Sequence, residues 1–228
     1  MKVLSLEEYG SGAALLIDKP LTWTSFDVVK KLRYLLKVKK IGHAGTLDPL
    51  ATGLLILCTG KMTKQINTYQ EAEKEYQGTF TLGKTTPSYD LETEFDTEQN
   101  CAHVTSEMIE AAVTSMTGHI QQVPPIYSAI KKDGVPAYKK ARQKKEIKLE
   151  PRSVEVKEFE ITNVDLPKVD FRIVCSKGTY IRSMAHDLGV KLGVGAHLSR
   201  LERTRIGDYR LSEAWNLEAF VDQINASA

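Results

Sequence analysis

The sequence predicts one α+β domain, and three observations carry that prediction. Polar and apolar residues alternate over 74–83, 154–164 and 169–176. Apolar residues recur at helical spacing over 26–36, 105–116 and 180–192, and no repeat, low-complexity tract or Ser/Gly/Pro-rich linker divides the chain. With 228 residues, 42% of them hydrophobic, there is enough apolar side chain for a full core. No apolar run reaches the roughly 18 residues of a membrane span. Met1 to Ser11 carries two acids and no hydrophobic stretch, which excludes a secretory signal. Cys58, Cys101 and Cys175 form no CxxC pair and leave an odd thiol, which suits a reducing cytoplasm and argues against a zinc site.

Taken in order, Gly12 to Asp18 reads as a short strand that stops at Lys19-Pro20, because proline cannot continue a ladder. Thr24 or Ser25 can cap a helix whose inward residues are Phe26, Val29, Leu32 and Leu36, with a basic tail at Lys37 to Lys40. Leu54 to Cys58 reads as a buried strand, and Gly60-Lys61-Met62-Thr63 opens a short helix to Tyr69. Gly53 and Gly60-Lys61 do not make a phosphate loop: six residues separate the glycines where a Walker A motif has four, and Met62 follows the lysine. Lys74 to Gly83 is a half-buried strand with Tyr76, Gly78, Phe80 and Leu82 on one face. Lys84 to Gln99 reads as an exposed acidic loop. A helix over 105–116 turns Met108, Ile109, Ala112, Val113 and Met116 inward. Val123-Pro124-Pro125 must be extended. Strands over 154–164 and 169–176 pair, and Lys177-Gly178-Thr179 turns the chain into a helix from Tyr180 to Leu192. Its stripe is Ile181, Met184, Ala185, Leu188 and Leu192, and Tyr180 and Arg182 lie in its first turn. A strand over 198–206 and a helix over 212–224 complete the chain.

One stretch stands apart. Ile41 to Gly53 places Gly42, Gly45 and Gly53 around His43 and Asp48, with Pro49 fixing the backbone directly after the carboxylate. Such a loop presents an acid and an imidazole together, although Asp before Pro is also a common turn. The net charge of +2 hides local asymmetry: residues 131–148 carry eight Lys/Arg against two acids, while residues 71–98 carry eight acids against two lysines. Interleaved with Tyr127 and Tyr138, the basic run suits a phosphate backbone with bases stacking nearby.

Together these residues resemble the bacterial tRNA pseudouridine synthase B family. Gly42-His43-Ala44-Gly45-Thr46-Leu47-Asp48-Pro49-Leu50-Ala51-Thr52-Gly53 is similar to its catalytic motif. Four further stretches follow in the family's order: Asp18-Lys19-Pro20 with Thr24-Ser25, Lys74-Glu75-Tyr76 with Leu82-Gly83, Pro124 to Lys131, and Cys175 to Ser183 through Asp187-Leu188-Gly189. The resemblance spans about residues 12–210. Departures occur at Ala44 and Ser88, where Thr is usual, at Gln143-Lys144, where glycine often stands, and at Glu202, where a second basic residue commonly lies beside Arg203.

The resemblance implies a pseudouridine synthase fold, with a central mixed, mainly antiparallel sheet flanked by helices and loops. It implies a catalytic domain over 1–228, a basic RNA-gripping segment at about 124–150, and no separate C-terminal RNA-binding domain. The implied reaction isomerises uridine 55 in the T loop of tRNA, with no cofactor and no metal, in a cytoplasmic monomer. The implied catalytic residues are Asp48, as nucleophile, Arg182, which keeps Asp48 ionised, Tyr180, which handles the proton that leaves C5, and Tyr76, which stacks on the target ring and can share that task. His43, Tyr76, Tyr180 and Leu201 contact the flipped substrate, and Lys19, Lys64, Lys131, Lys132, Lys139 and Arg142 contact RNA. Lys19 and Pro20 also shape the loop that supports the site.

A carboxylate suits this chemistry because it stabilises or captures developing positive charge at a glycosidic carbon. In a dry pocket it needs a cation to stay charged. Two other classes share features of the sequence. A non-catalytic RNA-binding or tRNA-folding protein would use the basic run and the aromatics. A phosphotransferase forming an aspartyl-phosphate on Asp48 would need Mg²⁺ and supporting carboxylates, for which the loop near Asp90 reads as too exposed.

Overall fold

The computed structural model describes residues 3–128, 130–132, 134–143, 147 and 149–226. A capping box between Ser5 and Glu8 opens α1 (Leu6–Ser11), a helix too short for its periodicity to register in the sequence. Strand β1 (Ala14–Lys19) ends at Pro20, as expected. Helix α2 (Ser25–Leu35) is capped by Thr24, paired reciprocally with Asp27, and buries Val28, Val29 and Leu32. Phe26, expected inward, is 62% exposed. It lies about 100° around the helix from the stripe of Ser25, Val29, Leu32 and Leu36, so one residue of phase separates core from solvent.

Strand β2 (Ile41–His43) leads through the Asp48 loop to β3 (Ala51–Thr59). The latter starts three residues earlier than its apolar run suggests, because Ala51–Gly53 pairs in parallel with Leu201–Arg203. A 3₁₀ turn (Gly60–Gln65) and α3 (Ile66–Glu71) precede β4 (Lys74–Leu82). The acidic stretch is more ordered than expected: β5 (Lys84–Thr85) pairs with β6 (Thr97–Glu98). Helix α4 (Ser106–Thr114), capped by Thr105, buries Ile109, Ala112 and Val113, whereas Met108 is 39% exposed rather than inward. Then come β7 (Gly118–Gln122), the short β8 (Lys131–Lys132) and β9 (Val135–Pro136), and α5 (Ala137–Arg142). The long pair β10 (Arg152–Asp165) and β11 (Lys168–Cys175) is antiparallel, as predicted. Helix α6 (Ile181–Leu192), β12 (Ala196–Ile206), β13 (Tyr209–Arg210), β14 (Trp215–Asn216) and α7 (Leu217–Ala226) follow. The last helix starts five residues later than the expected Ser212, because Asn216 accepts from the N–H groups of Glu218 and Ala219 and sets the cap there.

By internal packing the chain forms two compact units, one of Met1–Gln77 with Leu201–Ala228, the other of Gly78–Arg200. In the first, β1 lies between β14, parallel, and β3, antiparallel, and β2 adds to β3. Leu55 and Leu57 of β3 enter a core with Tyr9, Leu15, Ile17, Val28, Leu32 and Phe220. Leu54, Ile56 and Cys58 enter another with Ala44 and Ile206. Both faces of β3 are therefore covered, which is why its sequence is continuously apolar instead of alternating.

In the second unit β10 lies between β11 and β7, both antiparallel. Phe80 stacks on Phe171 at 4.0 Å and meets Phe159 edge-on at 6.2 Å. Gly78 is required there, since a Cβ would lie 2.3 Å from the Arg200 carbonyl oxygen and 2.7 Å from the Phe171 ring. The whole is mixed α+β with mainly antiparallel strands, as the sequence predicts.

Candidate active site

Within the first unit, the segment between β2 and β3 is held from three directions. Ser25, at the start of α2 and 2% exposed, accepts from the Leu47 N–H at 2.9 Å and donates to the Leu47 carbonyl at 3.1 Å. Lys19, at the end of β1, donates to the carbonyls of Trp23 (2.6 Å), Pro20 (3.0 Å) and Pro49 (3.4 Å). Arg203, in β12 and 1% exposed, donates through Nε to the Leu54 carbonyl at 2.8 Å and through Nη2 to the Gly45 carbonyl at 3.2 Å. The carbonyls bonded by Lys19 and Arg203 thus lie on both sides of Asp48, which is itself half-buried. Gly53, at φ 100°, admits this arrangement: a Cβ there would lie 2.4 Å from the Arg203 carbonyl oxygen.

Two buried cations, Lys19 and Arg203, and three carboxylates facing Lys19, Asp48 first and then Asp18 and Asp27, set the local electrostatics. Burial pushes Lys19 down to about 8, the Asp48 carboxylate opposes that fall, and Arg203 adds to it. Burial also lowers His43, the backbone at Gly45 resists, and the Arg203 charge lowers it further, so the imidazole is neutral at pH 7. His43 lies on β2 opposite Leu57, directly before the buried Ala44. Leu201, 8% exposed, is in register with Ala51, and its carbonyl accepts from the Thr52 hydroxyl at 3.5 Å. Tyr76 is half-buried on β4. The structure therefore places Asp48, His43 and Leu201 on one braced loop and its neighbouring strands.

Lys19 requires a correction. It is expected among the RNA-binding lysines, yet it is fully buried and its ammonium donates to three carbonyls, so it cannot face a phosphate backbone. Lys64, on the 3₁₀ turn, and Lys139, on α5, are exposed. The side chains of Lys131, Lys132 and Arg142 lie outside the described part of the structure, as do residues Lys144, Lys145 and Lys148.

In the second unit, Tyr180 is the N-cap of α6 and Arg182 follows in its first turn. The amide of Gln122, 1% exposed, grips the Tyr180 backbone from both sides: its oxygen accepts from the Tyr180 N–H at 2.8 Å and its nitrogen donates to the Tyr180 carbonyl at 3.1 Å. Arg182 is 4% exposed, not a surface arginine. Its Nη2 donates to the Tyr127 carbonyl at 2.8 Å, its Nη1 to the Ser88 carbonyl at 3.3 Å, and its Nε lies 3.7 Å from the Asp90 carboxylate. Asp90 is buried, contrary to the exposed loop expected there, and its other carboxylate oxygen accepts from the Glu92 N–H at 3.0 Å.

Four residues of this framework, Ser25, Asp90, Gln122 and Arg203, escaped the sequence reading in these roles. Ser25 was legible only as a cap, Asp90 was masked by the acids around it, and Arg203 stood out only as one of two basic positions. Among the described residues, no cluster of three or more His, Cys, Asp or Glu side chains could hold a metal ion. None of the described helices is long and apolar enough to cross a membrane.

Comparison with known proteins bears directly on this arrangement. Residues 33–181 match the model of the TruB family pseudouridylate synthase N-terminal domain, and residues 182–227 match that of the tRNA pseudouridylate synthase B C-terminal domain. A protein of Flavobacterium johnsoniae named tRNA pseudouridine synthase B is 54% identical over 225 residues, covering 96% of this chain and 98% of its own. One of the same name from Parabacteroides distasonis is 50% identical, with 94% of each chain covered. Among solved structures, the crystal structure of a Cbf5-Nop10-Gar1 complex contains a chain that superimposes with a TM-score of 0.75 at 30% identity over 96% of this chain. This protein spans 56% of that longer chain. The motif around Asp48, the mainly antiparallel α+β fold and full-length similarity to named synthases lead to one conclusion: the chain belongs to the TruB family of pseudouridylate synthases.

Proposed function

We propose that this protein isomerises uridine to pseudouridine at position 55 in the T loop of tRNA, with Asp48 as the nucleophile. Relatives that are 47–54% identical over nearly the whole chain share the name tRNA pseudouridine synthase B, which supports both the reaction and tRNA as the substrate. The observation that carries the catalytic assignment is the bracing of the Asp48 loop by Ser25, Lys19 and Arg203. A loop held by buried polar contacts keeps a reacting carboxylate in one geometry, as a nucleophile requires.

The bond from the ribose anomeric carbon to the uracil N1 breaks, the base turns, and a bond from the same carbon to C5 forms while C5 loses a proton and the freed N1 gains one. The change is an isomerisation, so electrons and atoms balance without a co-reactant. Asp48 captures the electrophilic centre, and Arg182 serves as its cation, a role taken from the family resemblance. Tyr180, held at its backbone by Gln122, handles the C5 proton, with Tyr76 stacked on the uracil. The uridine must leave its stack to be reached. A neutral His43 fits insertion among displaced bases, since it brings a flat ring without a charge to desolvate. Leu201 supplies an apolar wall, and Lys64 and Lys139, both exposed, contact the phosphate backbone. In this reading the whole chain is one catalytic body acting as a cytoplasmic monomer.

Purified protein incubated with a tRNA transcript and no added cofactor should form pseudouridine in the T loop alone. Asp48→Asn should abolish it, with RNA binding retained. An active Asn variant overturns the nucleophile, and wild-type protein that binds tRNA without modifying it overturns the enzyme.

A further inference from the structure

The segment that holds Arg182 contains a residue whose backbone and side chain pull in opposite directions. Tyr89 lies between Ser88, whose carbonyl accepts from Arg182, and Asp90, whose carboxylate pairs with it. Its φ is 64°, in the left-handed region that glycine adopts freely and that is disfavoured for a bulky residue such as tyrosine. The strain is maintained by bonds on both sides: Tyr89 N–H donates to the Thr86 carbonyl at 3.1 Å, and the Tyr89 carbonyl accepts from Leu198 N–H at 2.8 Å. Glycine would satisfy the same bonds without strain. A tyrosine at such a position implies that its ring is needed.

The ring stacks on His186, with centroids 4.1 Å apart and planes 15° from parallel. His186 lies on α6 one turn beyond Arg182, so the stack ties the 88–90 segment to the helix that carries the arginine it holds. Burial, then the carboxylates of Asp187 and Asp96, raise the Tyr89 phenol, so the ring is neutral at physiological pH. Residues 86–90 are otherwise tied within themselves, to Glu92 and Thr93, or to β12: the Thr86 and Ser88 hydroxyls both donate to the Asp90 carbonyl, the Ser88 N–H donates to the Thr93 hydroxyl at 3.2 Å, the Glu92 N–H donates to the Asp90 carboxylate, and Asp90 bridges to Leu198. None of these contacts reaches α6. The Tyr89–His186 stack therefore links the acceptors Ser88 and Asp90 to the Arg182 helix independently of the guanidinium itself.

We infer that Tyr89 and His186 are a positioning pair for Arg182, fixing the orientation of its guanidinium by locking the Ser88–Asp90 segment against α6. The inference rests on the reading of Arg182 as the cation of Asp48. Tyr89→Gly removes the ring and relieves the backbone, and the two effects offset, so the melting temperature should stay within about 4 °C of wild type. The turnover number should fall about tenfold or more with KM for tRNA unchanged, since small misplacements near a reacting group cost up to about 10²-fold. Tyr89→Phe, which keeps the stack, should remain within about threefold of wild type. His186→Asn should mimic Tyr89→Gly, and the double variant should be no worse than either single one. Wild-type turnover in Tyr89→Gly or in His186→Asn overturns the inference, as do additive losses, or a rise in KM at unchanged turnover, which would place the ring on the RNA. If Tyr89→Gly fails to fold, His186→Asn with Tyr89→Phe decides the matter alone. Failure of the functional reading looks different: the wild-type protein would then form no pseudouridine.

Discussion

Replacing Ser25 with alanine tests how firmly the Asp48 loop depends on a single buried oxygen. The hydroxyl serves both the N–H and the carbonyl of Leu47, the residue before Asp48, at 2.9 and 3.1 Å, and Ser25 is 2% exposed. Alanine leaves a backbone donor and acceptor without this partner where bulk water does not reach. Each such orphan costs roughly 1–3 kcal/mol, and relaxation of the loop recovers part, so the expected loss is about 2–4 kcal/mol. In a chain of this size that lowers the melting temperature by roughly 4–16 °C. Urea unfolding should show a lower midpoint at unchanged m-value. Turnover should fall with KM for tRNA little changed, because the loop loses position and not RNA-binding groups. A loss under about 0.5 kcal/mol, within the range of ordinary surface substitutions, would refute the claim that Ser25 holds the loop.

Two further outcomes follow from the same site. Lys19 is pushed down to about 8 from 10.5, so below about pH 8 both folded and unfolded chains carry its proton and the fold bears the full cost of a buried cation. Between about 8 and 10.5 the unfolded chain binds a proton that the folded chain has lost, so the Lys19 contribution to stability rises with pH, by about 3 kcal/mol across the window. Lys19→Met should remove that rise when unfolding free energies at about pH 7 and pH 10 are compared. An unchanged pH dependence in the variant would show the assignment to be wrong. Gly53→Ala places a Cβ 2.4 Å from the Arg203 carbonyl oxygen and should cost more than about 4 kcal/mol, whereas Gly118→Ala, with open space around it at φ 91°, should cost only about 1–2 kcal/mol of backbone strain. Thermal melts that rank the two equally would contradict the close approach.

Much of this framework was legible because it depends on local pattern. The β10–β11 pair, the stripe of α6 and the end of β1 at Pro20 follow from alternation, helical spacing and a missing N–H. The motif around Asp48 marked the loop. What holds that loop was not legible, since Arg203 bonds to Leu54 and Gly45 across 149 and 158 positions, and no window of sequence spans them. Asp90 failed for a related reason: its burial depends on Arg182, while eight acids between residues 71 and 98 gave the segment the look of a solvated loop. Phe26 and Met108 illustrate a different limit. Both recur at helical spacing, yet a turn of about 100° per residue leaves a single-residue ambiguity in which face is covered. Only neighbours fixed elsewhere resolve it.

The reach of Arg203 has a consequence for synthesis. Its guanidinium fills carbonyls laid down 149 and 158 residues earlier, which at ribosomal rates means roughly 7 to 30 seconds before they meet it. A nascent polypeptide carries Asp48 early but completes the clasp around its loop only after β12 has emerged. Products truncated before β12 thus carry Asp48 with the Ser25 and Lys19 contacts but without those of Arg203, and the loop gains its third brace only when that strand settles.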